Sequence, residues 1–340
     1  MSTLDYESLV LIMGGHSAFQ LCWAGTQLNI FDNLYKSSLT YDELKEKTKI
    51  DDRPFRILIT GLMTLKMLEH DGDKLKNANI VNEMLVREVD YNWVDALGWQ
   101  NYIVYPGQVD FLESLKTNTN IGLRHFPGDA DNLYSRISHD PFLEKTFQDS
   151  MASLSKSANN ILLENIDLNH SNHIMDAGGG NGTNMIAFAN KFSHLKCTVF
   201  DSESVCRIAS DNISKNNLNS RIDIHPGNLF ETEFPSGIDT VLLSHMLTIW
   251  SKEKNIQLLK KIYDHLPIGG KVIIFNMMGN DNMIGPMTTA LGSPYFISIA
   301  TGEGMLYTWS EVKEFITIAG FKIDNVQTLP KDHGLIVGIK

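Results

Sequence analysis

Ile174-Met175-Asp176-Ala177-Gly178-Gly179-Gly180-Asn181-Gly182-Thr183 decides how this chain is read. Asn172-His173-Ile174-Met175 before it reads as a short buried strand, and Asn184-Met185-Ile186-Ala187-Phe188-Ala189-Asn190 after it as a helix. Four glycines therefore crowd the turn between a strand and a helix. Glycine there lets the backbone take conformations that a side chain forbids, and lets a ligand lie against bare backbone. The helix N-terminus adds free N–H groups and positive potential, which suit an anionic group. Further on, Thr198-Val199-Phe200-Asp201 reads as a second apolar strand ending in an acid, 25 positions after Asp176. An acid at the end of strand two is where a ribose diol is gripped in a Rossmann-like sheet, so Asp201 and its neighbour Ser202 are candidates for that task. Ile222 to Phe230 looks like a third strand running into a loop.

The turn departs from the dinucleotide spacing G-x-G-x-x-G, and no Lys-Ser/Thr pair follows that would grip a phosphate as a P-loop does. After the third strand come Thr240-Val241-Leu242-Leu243-Ser244, a helix over 254–266, the strand Lys271-Val272-Ile273-Ile274-Phe275, a helix over 309–319 and a last strand over 334–339. Alternation of this kind predicts an α/β fold with a mostly parallel, doubly wound sheet. Ligands bind beyond the carboxyl ends of such strands, where Gly178, Gly180, Asp201, Asn228 and Ser244 all fall.

The N-terminal third is different. Residues 5–35 are helical in pattern, with a Gly14-Gly15 break. Thr40, with Glu43 three positions later, forms a capping box that opens a short helix. A second helix follows Asp51, with Pro54 in its first turn, where proline is tolerated. Asp71-Gly72-Asp73 is a hairpin turn signal. Helix, turn, helix and hairpin make a winged-helix pattern, which raises DNA binding as a reading. The charge opposes it: residues 1–100 hold ten Lys/Arg against fifteen Asp/Glu, and a surface that tracks phosphates needs the reverse.

The whole chain has a net charge of -11, which argues against nucleic acid as a partner. Cys22, Cys197 and Cys206 are too few and too irregularly spaced for a disulfide scaffold or a metal site, and fit a reducing, cytoplasmic setting. No run of about 18 apolar residues predicts a membrane span. Residues 91–165 are rich in aromatics; the bland reading is core packing, and the functional one is a lid over a flat hydrophobic ligand. His125 and His139, in loop-like surroundings, are further candidates for the site.

The form D-x-G-G-G-x-G, from Asp176 to Gly182, resembles the first motif of S-adenosylmethionine-dependent methyltransferases. More closely, the chain resembles the two-domain small-molecule O-methyltransferase family of plant phenolic and bacterial polyketide type, over nearly its whole length. Gln27-Leu28-Asn29-Ile30-Phe31-Asp32 is similar to a stretch of that family's N-terminal dimerisation domain. The resemblance implies a helical, winged-helix-like dimerisation domain over 1–100, a helical linker and lid over 101–165, and a cofactor-binding Rossmann-like domain over 166–340. It implies a homodimer, S-adenosylmethionine as cofactor and a hydrophobic, aromatic or polyketide-like acceptor. Asp176 and the glycine turn would lie near the methionine end, Asp201 at the ribose, and Asn228 with Leu229 at the adenine. Tyr102, Tyr105, Phe147, Met151, Met287, Tyr295 and Met305 are the expected acceptor contacts, with Met283 and Phe296 in the same adaptable apolar wall.

The family's His-Asp-Trp after the fourth strand is altered. The stretch reads His245-Met246-Leu247-Thr248-Ile249-Trp250, so Thr248 stands where the histidine base stands and Ile249 where its aspartate stands. Asn276 replaces the acid that orients the base, and Asn228 the acid that meets the adenine amino group. A threonine hydroxyl has no useful basicity near neutral pH, and loss of such a base costs about 10²–10⁴ in rate. Three readings stay open: an acceptor that arrives ionised or is attacked at carbon or nitrogen, with alignment sufficing; another base, with His245, His125, His139 and the tyrosines as candidates, although the bland reading of His245 is packing under the site; or a cofactor-binding isomerase, cyclase or hydroxylase-like enzyme that transfers no methyl. Methylation of oxygen is the first expectation, of carbon or nitrogen the next. The segment Gly302 to Thr308 looks closer to bacterial members, including those that methylate carbon.

Overall fold

The computed structural model describes residues 4–90 and 92–340. Residues 1–3, which begin the expected first domain, and Tyr91, which begins the aromatic stretch, lie outside the described residues. The chain divides into two units, Met1–Asn101 and Tyr102–Lys340, so the expected linker and lid over 101–165 groups with the second.

The first unit contains α1 (Tyr6–Met13), α2 (Gly15–Gln27), α3 (Ile30–Asn33), β1 (Leu39–Thr40), α4 (Tyr41–Thr48), α5 (Asp52–Thr64), β2 (Leu68–Asp71), β3 (Lys74–Asn77), α6 (Asn79–Met84) and α7 (Val94–Trp99). The Thr40–Glu43 capping box forms in both directions and starts α4. The three strands pair antiparallel in the order β1-β3-β2, with Gly72 at positive φ in the hairpin turn. Phe31, Leu44, Phe55 and Leu62 are fully buried at the centre. Each such side chain stabilises the unit by about 1.5–3 kcal/mol. By contrast, α1 buries none of its residues, and Leu9, Val10, Leu11, Ile12 and Met13 all stand exposed.

The second unit begins with α8 (Tyr105–Gly107), α9 (Phe111–Thr117), α10 (Leu133–Ile137) and the 25-residue α11 (Pro141–Asn165). Asp140 caps α11 by accepting from Phe142 N and Leu143 N, and Pro141 takes its first turn. Then come β4 (His173–Ala177), α12 (Thr183–Lys191), β5 (Lys196–Asp201), α13 (Glu203–Lys215), β6 (Ile222–Pro226), β7 (Thr240–Ser244), α14 (Lys252–His265), β8 (Lys271–Met277), α15 (Met287–Ser298), α16 (Trp309–Ile318), β9 (Lys322–Thr328) and β10 (His333–Ile339). The seven strands lie in the order β6-β5-β4-β7-β8-β10-β9. From β6 to β8 all pairs are parallel, and β10 runs antiparallel between β8 and β9.

Both faces of this sheet are covered. Val241, Leu243, Val272 and Ile274 face a core completed by α14 and α16. Ile174, Val199, Leu242, Ile273 and Phe275 face a second core completed by α11, α12 and α13. Strands buried on both sides read as unbroken apolar runs, which is why the sequence marks them clearly. The chain leaves β4 toward β5 on one side and returns to pair β7 on the other. That reversal opens a crevice at the carboxyl ends of β4 and β7, the place where such sheets bind ligands.

Candidate active site

The glycine turn lies at this crevice. Gly178, Gly180 and Gly182 all take positive φ, at 81°, 56° and 82°. Two of them have distinct reasons. A Cβ on Gly178 would stand 2.2 Å from Met246 Sδ, so the turn is pressed against the segment after β7. A Cβ on Gly180 would meet nothing within 4 Å, so that backbone faces open space. The turn is tied to the next strand, because Gly178 N donates to Phe200 O at 2.8 Å and Gly180 N to Asp201 Oδ2 at 2.9 Å.

Asp201 ends β5, and its other oxygen accepts from Ser202 N at 2.7 Å. Burial pushes its carboxyl above the usual range, against these two backbone donors. A carboxylate has about four acceptor sites, so two hydrogen bonds leave room for a diol. Asp176 is fully buried under the turn; Asn184 Nδ2 donates to its Oδ2 at 3.0 Å, and its Oδ1 has no partner. Burial raises its pKa to about 7. Asn228 is exposed after β6 and uses Oδ1 to accept from Phe230 N at 2.9 Å, while Leu229 O accepts from Lys261 Nζ. These groups fit S-adenosylmethionine: glycine backbone that nothing covers, a ribose acceptor in Asp201, and an orphaned carboxylate oxygen for a cationic amine.

The segment after β7 is the second half of the site. His245 adopts φ 57°, rare for a residue with a side chain, and donates its N–H to Phe275 O at 2.8 Å. Its Nδ1 lies 3.3 Å from Ser244 Oγ and its Nε2 3.1 Å from His333 Nε2. The ring stands edge-on to Phe275 and His333, which stack on each other at 4.8 Å. Burial, then the neighbouring His333, pushes the pKa of His245 down to about 3, so it stays neutral. Thr248 is 2% exposed and its hydroxyl donates to His245 O at 3.0 Å.

The 3-10 turn Leu247–Ile249 that carries Thr248 is held from several directions. Asn255 Nδ2 donates to Leu247 O at 2.7 Å and to Trp250 O at 3.1 Å. Thr301 Oγ1 donates to Ile249 O, and Tyr307 OH to Trp250 O at 2.7 Å. Gly304 lies so close that a Cβ there would stand 2.0 Å from Thr248 O. Asn276, at the end of β8, is 1% exposed, and neither its Oδ1 nor its Nδ2 has a partner.

The expected acceptor contacts come from several elements. Tyr134 and Phe147 meet edge-on at 5.6 Å, and Tyr134 hydrogen-bonds to Tyr295 on α15. Tyr102 meets Phe142 edge-on at 4.9 Å; it and Tyr105 are half exposed, at 39% each. Met151 is half-buried on α11. Met287 and Met305 are open to solvent at 75% and 43%. His125 is engaged with Asp110, its Nε2 2.8 Å from Asp110 Oδ2. Sequence reasoning missed Met246, which covers Gly178, and His333, which pairs with His245. It also missed Asn184; an amide eight positions after Asp176, on the first turn of the helix, was a readable signal. Among the described residues, no cluster of His, Cys, Asp or Glu stands ready for a metal ion, and no helix is long and apolar enough to cross a membrane.

Comparison with known proteins bears on the family and the fold. A family model described as an O-methyltransferase domain matches residues 116–322. The L-tyrosine C(3)-methyltransferase of Streptomyces lavendulae is 36% identical, over 99% of this chain and 93% of its own length. A 3-hydroxy-5-methyl-1-naphthoate 3-O-methyltransferase of Streptomyces sahachiroi is 26% identical, over 94% of this chain and 91% of its own. Among solved structures, the S-adenosylmethionine-dependent methyltransferase SibL, in its apo form, superposes with a TM-score of 0.85 at 31% identity, over 99% of both chains. Human N-acetylserotonin methyltransferase, in complex with its cofactor, gives 0.87 at 21% identity, over 100% of this chain and 99% of its own.

Proposed function

This chain belongs to the S-adenosylmethionine-dependent O-methyltransferase family, and from that membership we propose that it methylates a ring carbon of a hydrophobic, phenolic small molecule in secondary metabolism. The observation that carries the reading is Thr248. At the position of the family's base stands a buried hydroxyl that donates to the carbonyl of His245. It has no basicity to offer near neutral pH. His245 is beside it, but burial and His333 keep its imidazole neutral, so it is a poor proton acceptor.

S-adenosylmethionine, when bound, supplies an electrophilic methyl group on a charged sulfonium. The chain supplies position: the glycine turn and Asp201 hold the cofactor, and the aromatic residues of α10, α11 and α15 hold a flat acceptor. A phenol that has already lost its proton carries charge at the ring carbon beside the oxygen, so alignment and exclusion of water supply the remaining acceleration. The relative from Streptomyces lavendulae, named for methylating such a carbon of tyrosine, supports carbon over oxygen. Within this reading Asp176, Gly178, Gly180, Asp201, Ser202, Asn228, Leu229 and Ser244 serve the cofactor. Tyr102, Tyr105, Phe147, Met151, Met287, Tyr295 and Met305 serve the acceptor, and Thr248 and His245 shape the floor between them. The uncovered apolar surface of α1 supports a homodimer formed through the first unit.

The test is incubation with S-adenosylmethionine carrying a labelled methyl group and a panel of phenols that includes L-tyrosine and naphthols. A labelled methyl attached to carbon by NMR is expected. Label found only on oxygen, or conversion to an isomer without label, overturns the reading.

A further inference from the structure

Resting on the phenolic acceptor just argued, we propose that Asn276 receives the acceptor's oxygen, its side-chain N–H donating to that oxygen in its ionised form. Asn276 is the second-last residue of β8, one strand from Ser244 and His245, and opposite Gly334 of β10. Alternation along β8 places it on the same sheet face as Val272 and Ile274, the face to which Leu247 also packs. Asn276 is 1% exposed, yet both ends of its amide lack a partner. An amide can make up to four hydrogen bonds, and a buried one that makes none is costly unless a ligand completes it.

The identity of the residue says which ligand. A carboxylate here would accept hydrogen bonds only, and would repel a phenolate. An amide donates two N–H groups without carrying charge, and a donor aimed at an oxyanion favours the ionised phenol. The surrounding titratable groups leave that role to Asn276. His245 and His333, which hydrogen-bond to each other and in which burial disfavours the charged form, lie against Phe275 on the opposite face of the sheet. The core on the face of Asn276 holds Tyr307, whose hydroxyl donates to Trp250 O and whose pKa burial pushes up, so it keeps its proton. Asp332, before β10, is occupied in accepting from Thr288 Oγ1 at 2.6 Å. The phenol gives its proton to water on entering, and the residues around Asn276 need not take it.

The probe is 4-nitrophenol, whose ionised form absorbs visibly, bound to the protein in the presence of S-adenosylhomocysteine. At the pH where the free phenol is half ionised, the wild-type complex is expected to hold it at least five-fold enriched in phenolate. Asn276→Leu should abolish the enrichment, and Asn276→Asp should reverse it. Unchanged affinity for S-adenosylhomocysteine certifies that each variant is folded, and the leucine variant carries the test if the aspartate variant fails that check. Equal ionised fractions in all three proteins and in free solution would overturn the assignment while leaving the phenolic acceptor standing. A wild-type protein that binds S-adenosylhomocysteine but no 4-nitrophenol overturns both.

Discussion

His245 Nε2 lies 3.1 Å from His333 Nε2, so two imidazoles from positions 88 residues apart share one hydrogen-bonding proton beneath the candidate site. Burial disfavours the charged form of both rings. The folded chain keeps His245 neutral down to about pH 3, whereas an unfolded chain takes up the proton near 6.5. Between those values the unfolded state binds more protons, so stability is full above pH 6.5 and falls as the pH is lowered. The ceiling for one such group is about 1.4 kcal/mol per pH unit. Asp176, whose carboxyl burial raises to about 7, works in the opposite sense over this range, so urea unfolding at pH 7 and pH 5 should show the loss as the difference between the wild type and a variant without this imidazole. His245→Asn, which tolerates the left-handed backbone, is that variant.

The two glycines with different surroundings should fail differently when replaced by alanine. Gly178→Ala drives a methyl into Met246 and should cost about 1–3 kcal/mol of stability, read as a lowered Tm. In Gly180→Ala the new methyl projects into open space, so the fold should lose only about 1 kcal/mol. Its binding of S-adenosylmethionine should weaken at least ten-fold by calorimetry, because the cofactor then meets a side chain instead of bare backbone.

Asp201→Ala should cost about ten- to a hundred-fold in S-adenosylmethionine affinity, the weight of hydrogen bonds to a charged acceptor. The same change frees Gly180 N and Ser202 N, so the glycine turn should also exchange its amide hydrogens faster. Unchanged affinity would mean that the ribose lies elsewhere.

Thr248→Val removes the hydroxyl and keeps the shape. If the hydroxyl only ties the turn to His245 O, kcat should change by less than about three-fold, its pH profile should not move, and stability should fall by about 1 kcal/mol. A fall in kcat of two orders of magnitude with intact folding would make Thr248 a chemical participant.

The exposed apolar residues of α1 should be covered by a second copy of the chain. Leu9→Glu with Ile12→Glu is expected to convert a dimer to a monomer in sedimentation, without unfolding the first unit, because neither side chain is buried within it. Wild-type sedimentation as a monomer would exclude the dimer outright.

The sequence made the sheet legible because its strands are buried on both faces and its glycine turn has one purpose. The capping box Thr40–Glu43 shows the same directness, since it is a local chemistry written in four residues. Where meaning depended on distant partners, it was hidden. Nothing near His245 in the chain announces His333. No property of Asn276 as a letter says that its amide is buried without partners. α15 mixes apolar and hydroxyl side chains around its axis and holds Pro294 within it, so periodicity identifies it poorly, although its Tyr295 belongs to the expected acceptor wall. β9 alternates exposed and half-buried residues, but its half-buried positions are Ile323, Asn325 and Gln327, so no apolar rhythm marks it in the sequence.

The turn at residues 247–250 holds its shape through Asn255, Thr301, Tyr307 and the bare backbone of Gly304, none of which depends on the side chain at position 248. Scaffold and reagent are therefore separable at this point in the chain. A lineage can exchange the group displayed there, histidine for threonine, while the platform beneath keeps its contour. The same independence makes position 248 a socket for redesign, in which new proton-transfer groups can be installed and compared on one unchanged backbone.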